Sequence, residues 1–191
     1  VVSGLVLLTT ACGTPAASSP ATPATPAAST DFERFFPLEE GKIYNYVTKD
    51  GGDSGMLVAK VHRTDKTHGE LRLSNATKRF VLAQDGGAYD DPSSKVGVGA
   101  YILKGPLEVG VSWTGEHGGS TRIAATDVAV DVPAGHYASC VRTVEDGGRP
   151  PNSRYETTYC PGIGMVLLVV TAPGAEARAE LKSYGMPVKI E

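Results

Sequence analysis

The chain is 191 residues long, 41% hydrophobic and 20% charged, with 18 Lys and Arg set against 21 Asp and Glu. That length fits one domain with a short appendage and excludes a polytopic membrane protein or a multidomain enzyme. The small acidic excess excludes a nucleic-acid or polybasic membrane footprint, and 23 glycines together with plentiful Val, Thr and Tyr favour strands joined by tight turns.

Residues 1–11, VVSGLVLLTTA, are apolar or small and carry no charge. A stretch this short cannot cross a hydrocarbon core that needs about 20 residues, so it reads as the apolar part of a secretory signal. Lacking an initiator Met and a basic leader, it is expected to be a signal-peptide remnant. Its end, Leu7-Leu8-Thr9-Thr10-Ala11-Cys12, resembles the lipobox of bacterial lipoproteins, in which small residues lead to a cysteine that is diacylated and becomes the mature N-terminus. Thr9 departs from that pattern, because Leu is usual three places before the cysteine. The resemblance implies lipidation at Cys12, where a sulfur nucleophile is needed for thioether formation and two acyl chains anchor stably. It also implies sorting to the outer membrane, since Gly13 rather than Asp follows the cysteine.

Residues 13–30 hold six Ala, four Pro, four Thr, three Ser and one Gly, with no charge. Such a segment cannot bury enough apolar area to offset its ordering entropy, so 12–30 is expected to be a lipidated cysteine followed by a disordered spacer. A β domain is expected over 31–191.

That domain opens with Thr30-x-x-Glu33, a capping-box pattern, and with Phe32, Phe35 and Phe36 on one helical face, which predicts one helical turn ended by Pro37. Period-two alternation then predicts antiparallel strands at 42–49, 56–63, 70–75, 79–84, 100–104, 111–114, 121–130, 136–145, 154–160, 165–171 and 176–184. Asp50-Gly51-Gly52, Asp85-Gly86-Gly87 and Asp146-Gly147-Gly148 read as reversals. The last strand is rich in helix formers, yet Glu176, Arg178, Glu180 and Lys182 alternate with Ala177, Ala179, Leu181 and Ser183, which decides for strand. The expected fold is all-β: one domain of about 9–11 antiparallel strands in a curved sheet, half-barrel or partly open barrel.

With Cys12 lipidated, two cysteines remain. A hairpin centred near Pro150 opposes residues whose numbers sum to about 300, and Cys140 and Cys160 meet that condition, so a disulfide between them is expected.

Catalytic motifs are sparse. Gly52-Asp53-Ser54-Gly55 imitates a serine-nucleophile signature, but all four histidines, His62, His68, His117 and His136, follow it, and a base with an orienting third group is not in place. Ser54 reads as a polar hairpin turn, with a serine hydrolase as the remote alternative. His62 and His68 flank a turn without enough ligands for zinc, and Asp85, Asp90 and Asp91 lack EF-hand spacing. No catalytic residue, metal site or cofactor is therefore expected. Tyr44, Tyr46, Tyr101 and Trp113 are candidates to line an apolar cavity with polar tips, with ordinary core packing as the competing explanation.

Three stretches resemble a group of uncharacterised bacterial envelope proteins, many of them lipoproteins: Phe36-Pro37-Leu38 with Gly41 and Tyr44-Asn45-Tyr46; Val130-Asp131-Val132-Pro133-Ala134-Gly135-His136-Tyr137 with Cys140; and Tyr159-Cys160-Pro161-Gly162-Ile163-Gly164-Met165-Val166. Tyr44 stands where Trp is common and Cys160 where a small residue is usual. The resemblance implies a strongly curved antiparallel sheet and is silent on activity. Together these readings predict a non-catalytic lipoprotein of the cell envelope, anchored through its lipid, that binds a lipid or other hydrophobic ligand or an envelope protein partner.

Overall fold

The computed structural model describes residues 29–74, 76–83, 85–89 and 100–187. One helix, α1 (Ser29–Phe35), precedes twelve strands: β1 (Ile43–Asp50), β2 (Asp53–Arg63), β3 (His68–Leu73), β4 (Thr77–Ala83), β5 (Gly86–Tyr89), β6 (Tyr101–Lys104), β7 (Ser112–Thr114), β8 (Ser120–Val132), β9 (Gly135–Gly148), β10 (Ser153–Cys160), β11 (Gly164–Ala172) and β12 (Ala175–Gly185). They form a single antiparallel sheet in the order β6-β5-β4-β3-β2-β1-β12-β11-β10-β9-β8-β7. Sequential hairpins account for every neighbour except β1 and β12, whose pairing rolls the meander into a nearly closed barrel. The two edges, β6 and β7, meet at a seam where the Trp113 indole N–H donates to Tyr101 O at 3.0 Å.

Each of the eleven expected strands is present, including the helix-rich segment that forms β12. The twelfth, β5, was hidden by composition. Gly86 and Gly87 read as a turn because glycine disfavours strands, yet both pair with β4 and β6. A Cβ on Gly87 would stand 2.1 Å from the Phe32 ring, so glycine is kept there for close approach of α1. Asp146-Gly147-Gly148 is not the β9–β10 reversal either; β9 runs through it, with a register shift at its end, and residues 149–152 make the turn. Glu33 of α1 pairs with Arg63 of β2 at 3.0 Å.

α1 closes one end of the barrel. Phe32, Phe35 and Phe36 are all buried, and the Phe36 ring meets Phe80 and Tyr159 edge-on at 5.4 and 6.2 Å. Arg34 O accepts the Gly162 amide at 2.7 Å, tying α1 to the β10–β11 turn. At this end the core is filled by Val61, Phe80, Leu103, Ile123 and Leu181, each 1% exposed or less.

The β9–β10 register opposes residues from Asp146 with Arg154 to Val141 with Tyr159. The next pair is Cys140 and Cys160, joined by a disulfide with Cα atoms 4.2 Å apart. Charged pairs run over the outer surface: Glu70 with Arg72 on its own strand and with Arg79 on β4, and Asp146 on β9 with Arg122 on β8 and Arg154 on β10. These arginines hold both carboxyls below the usual carboxylate range. Exposed pairs of this kind add little stability, and they leave these stretches of the outer face charged.

Candidate functional site

Side chains on directly opposed strand residues share a face, and the register places several rows inside the barrel. Tyr44, Ala59 and Leu73 form one row across β1, β2 and β3; Tyr46 and Leu57 form another. Across the lumen, Thr143, Thr157 and Leu168 align on β9, β10 and β11, beside Tyr159 and Met165. A small residue at 59 and short threonines at 143 and 157 leave the lumen unfilled, and these rows enclose a cavity of about 170 Å³. Its floor is Phe36, Pro37 and Leu38 below α1, and its far end carries Lys78, Glu116, His117 and Glu145.

The apolar part has few free polar groups. Tyr46 donates its hydroxyl to Met165 O at 3.1 Å and Tyr44 to Pro37 O at 3.4 Å. Burial pushes the Tyr44, Tyr46 and Tyr159 phenols far up, so they stay neutral. Desolvation, then the hydrogen bond to Asp85, raises Tyr101.

The polar end is built on a buried carboxylate. Glu145 is 5% exposed, and its Oε1 accepts the amides of His117 and Gly119, each at 2.9 Å. Its Oε2 lies 3.0 Å from His117 Nδ1. The His117 ring is stacked on Tyr155 with centroids 3.5 Å apart and planes 5° from parallel, while Tyr155 donates its hydroxyl to Arg149 O at 2.6 Å. Lys78 on β4 reaches the β7–β8 turn to pair with Glu116. The turn wraps Glu145 closely: a Cβ on Gly115 would meet Thr121 Oγ1 at 2.0 Å, and one on Gly119 would meet Asp146 O at 2.4 Å and Gly148 N at 2.7 Å. Backbone atoms cannot swing aside as a side-chain tip does. Gly119→Ala is therefore expected to cost about 1–3 kcal/mol, read as a lowered urea midpoint at unchanged slope.

Of the four aromatic residues singled out in the sequence, Tyr44, Tyr46 and Tyr101 wall the cavity. Trp113 does not; it is committed to the seam, buried with its N–H on Tyr101 O. Ser54 is exposed on β2 opposite Lys49. His62 and His68 go to separate carboxylates, Glu40 and Asp65, and among the described residues no group of three or more His, Cys, Asp or Glu is arranged for a metal. Asp85 accepts from the Tyr101 hydroxyl; Asp90, Asp91 and Cys12 lie outside the described residues. The sequence reading missed His117 and Glu145, although Val141, Thr143 and Glu145 alternate toward one face of β9, which marked two polar side chains as inward.

No protein-family profile and no curated protein matches the sequence. Two solved structures resemble the fold loosely. One, from Bacteroides fragilis, is described as a "putative exported protein with YmcC-like fold", with 11% identity, a TM-score of 0.46, and coverage of 79% of this chain and 98% of that one. The other, a "putative lipoprotein" of Parabacteroides distasonis, has 12% identity, a TM-score of 0.43 and the same coverage.

Proposed function

We propose that the barrel is a non-catalytic carrier or sensor that holds a small amphipathic molecule in its lumen, on a chain tethered to the bacterial cell envelope through lipidated Cys12. The carrying observation is the cavity itself, an apolar space with polar groups gathered at one end only. At about 170 Å³ it compares with dry cavities of about 150 Å³ that bind a benzene-sized ligand, so one ring or one short alkyl segment fits, not a whole phospholipid. The tether supports a location at the outer membrane, and the charged outer face supports a domain standing clear of the bilayer.

The reading in which the domain only docks an envelope partner has less to stand on. Among the described residues the large apolar side chains left exposed are few, Met56 and Val58 on β2 with Val109, Tyr184 and Met186, and the sheet edges face each other at the seam.

Filling the lumen tests the carrier reading. Ala59→Leu adds three carbons to the Tyr44, Ala59, Leu73 row, and hexan-1-ol, followed by ligand-observed NMR titration, is expected to bind about tenfold more weakly or worse, as a pocket of this size tolerates little loss of volume. Equal binding by the variant and the parent chain would place the alcohol elsewhere and count against the reading.

A further inference from the structure

We propose that His117 is the recognition point of the cavity and that the ligand it selects is a neutral molecule carrying a hydroxyl or other N–H or O–H donor on a small apolar body. This rests on the carrier reading above and names the class of ligand. The geometry of three groups carries it. A carboxylate has no hydrogen to give, so the imidazole nitrogen facing Glu145 Oε2 at 3.0 Å, Nδ1, bears the proton. Nε2, across the ring, then presents a lone pair when the ring is neutral. The tautomer is held in place because Glu145 is fixed by two backbone amides and the ring is clamped on Tyr155, the arrangement by which an orienting partner sets the role of the second nitrogen.

Several of the cavity's other donors already spend their hydrogen within the protein, which leaves few to serve a ligand that can only accept, such as a ketone. The Tyr44, Tyr46 and Tyr155 hydroxyls donate to backbone carbonyls, Thr143 to Thr157 O, and Lys78 pairs with Glu116. Charge disfavours an acid-headed ligand, because one ammonium, Lys78, stands among two carboxylates, Glu116 and Glu145, around His117. Leu57, Leu71, Leu73 and Leu168 supply the apolar wall for the body of the molecule. A free fatty acid is thereby rejected at its head, whereas a short-bodied alcohol or phenol is accepted.

The test compares ligands with one apolar body and different heads on the full chain carrying Cys12→Ser, which removes the lipid. Hexan-1-ol, hexan-2-one and hexanoate are titrated by ligand-observed NMR. The alcohol is expected to bind about tenfold tighter than the ketone and the carboxylate, the upper range for one hydrogen bond. Glu145→Gln keeps the side-chain shape but turns an amide N–H toward Nδ1, which moves the ring proton to Nε2; the preference for alcohol over ketone should be lost while both still bind. His117→Phe, which keeps a ring to stack on Tyr155, should lose it as well. If the parent chain binds alcohol and ketone alike, or Glu145→Gln keeps the parent's preference, the role of His117 is overturned and the carrier reading stands. Binding of none of the three probes by the parent chain overturns both.

Discussion

Phe36→Ala is expected to lower the stability of the domain by about 3–5 kcal/mol, the range for removing a buried aromatic side chain and leaving a cavity. Phe36 is 6% exposed and its ring is in contact with those of Phe32, Phe80 and Tyr159, so no single neighbour can collapse into its place. The substitution also removes part of the cavity floor. Its second effect runs against the first: alcohols with longer alkyl chains than hexan-1-ol should gain affinity as the lumen deepens toward α1. Urea unfolding checks the first expectation and a chain-length series of alcohols the second. A stability loss without a shift in preferred chain length would mean that α1 packs on the barrel without bounding the ligand space.

Removing the disulfide ranks next. The bond closes a loop of 20 residues, and constraint of the unfolded chain by a loop of that length is worth about 3 kcal/mol. The Cys140→Ala and Cys160→Ala double variant is therefore expected to unfold at markedly lower urea concentration, and a reductant should lower the midpoint of the parent chain but not of the variant. Both cysteines are 1% exposed or less, so slow reduction of the native state is expected as well.

The strands and the disulfide register were legible for a shared reason: both depend on a period of two. Alternation located β1 to β4 and β6 to β12, and the same alternation, reflected about Pro150, put Cys140 opposite Cys160. Strand β5 was not legible, because the glycines that make it are there for the Phe32 ring, a contact with a residue more than fifty positions away. The site was legible in part. Tyr44 and Tyr46 face inward by the same alternation that placed β1, whereas Trp113, though apolar and on a strand, is taken by the seam, a feature that exists only once the sheet has rolled up. His117 and Glu145 were missed because their partnership spans 28 residues and depends on the β7–β8 turn folding over β9. The absence of a short-spaced catalytic or metal motif hid a carboxylate and an imidazole held together by topology alone.

The central claim is that the lumen holds a small neutral ligand, and native mass spectrometry of the protein released from a bacterial envelope without reductant tests it most directly. The account predicts a folded mass exceeding the denatured mass by one small molecule, with the denatured chain two hydrogen atoms lighter than its reduced form. The Ala59→Leu variant should lack the excess. A folded mass equal to the denatured mass in the parent chain, under conditions where known non-covalent complexes survive, would contradict the carrier reading and leave the cavity as unfilled core.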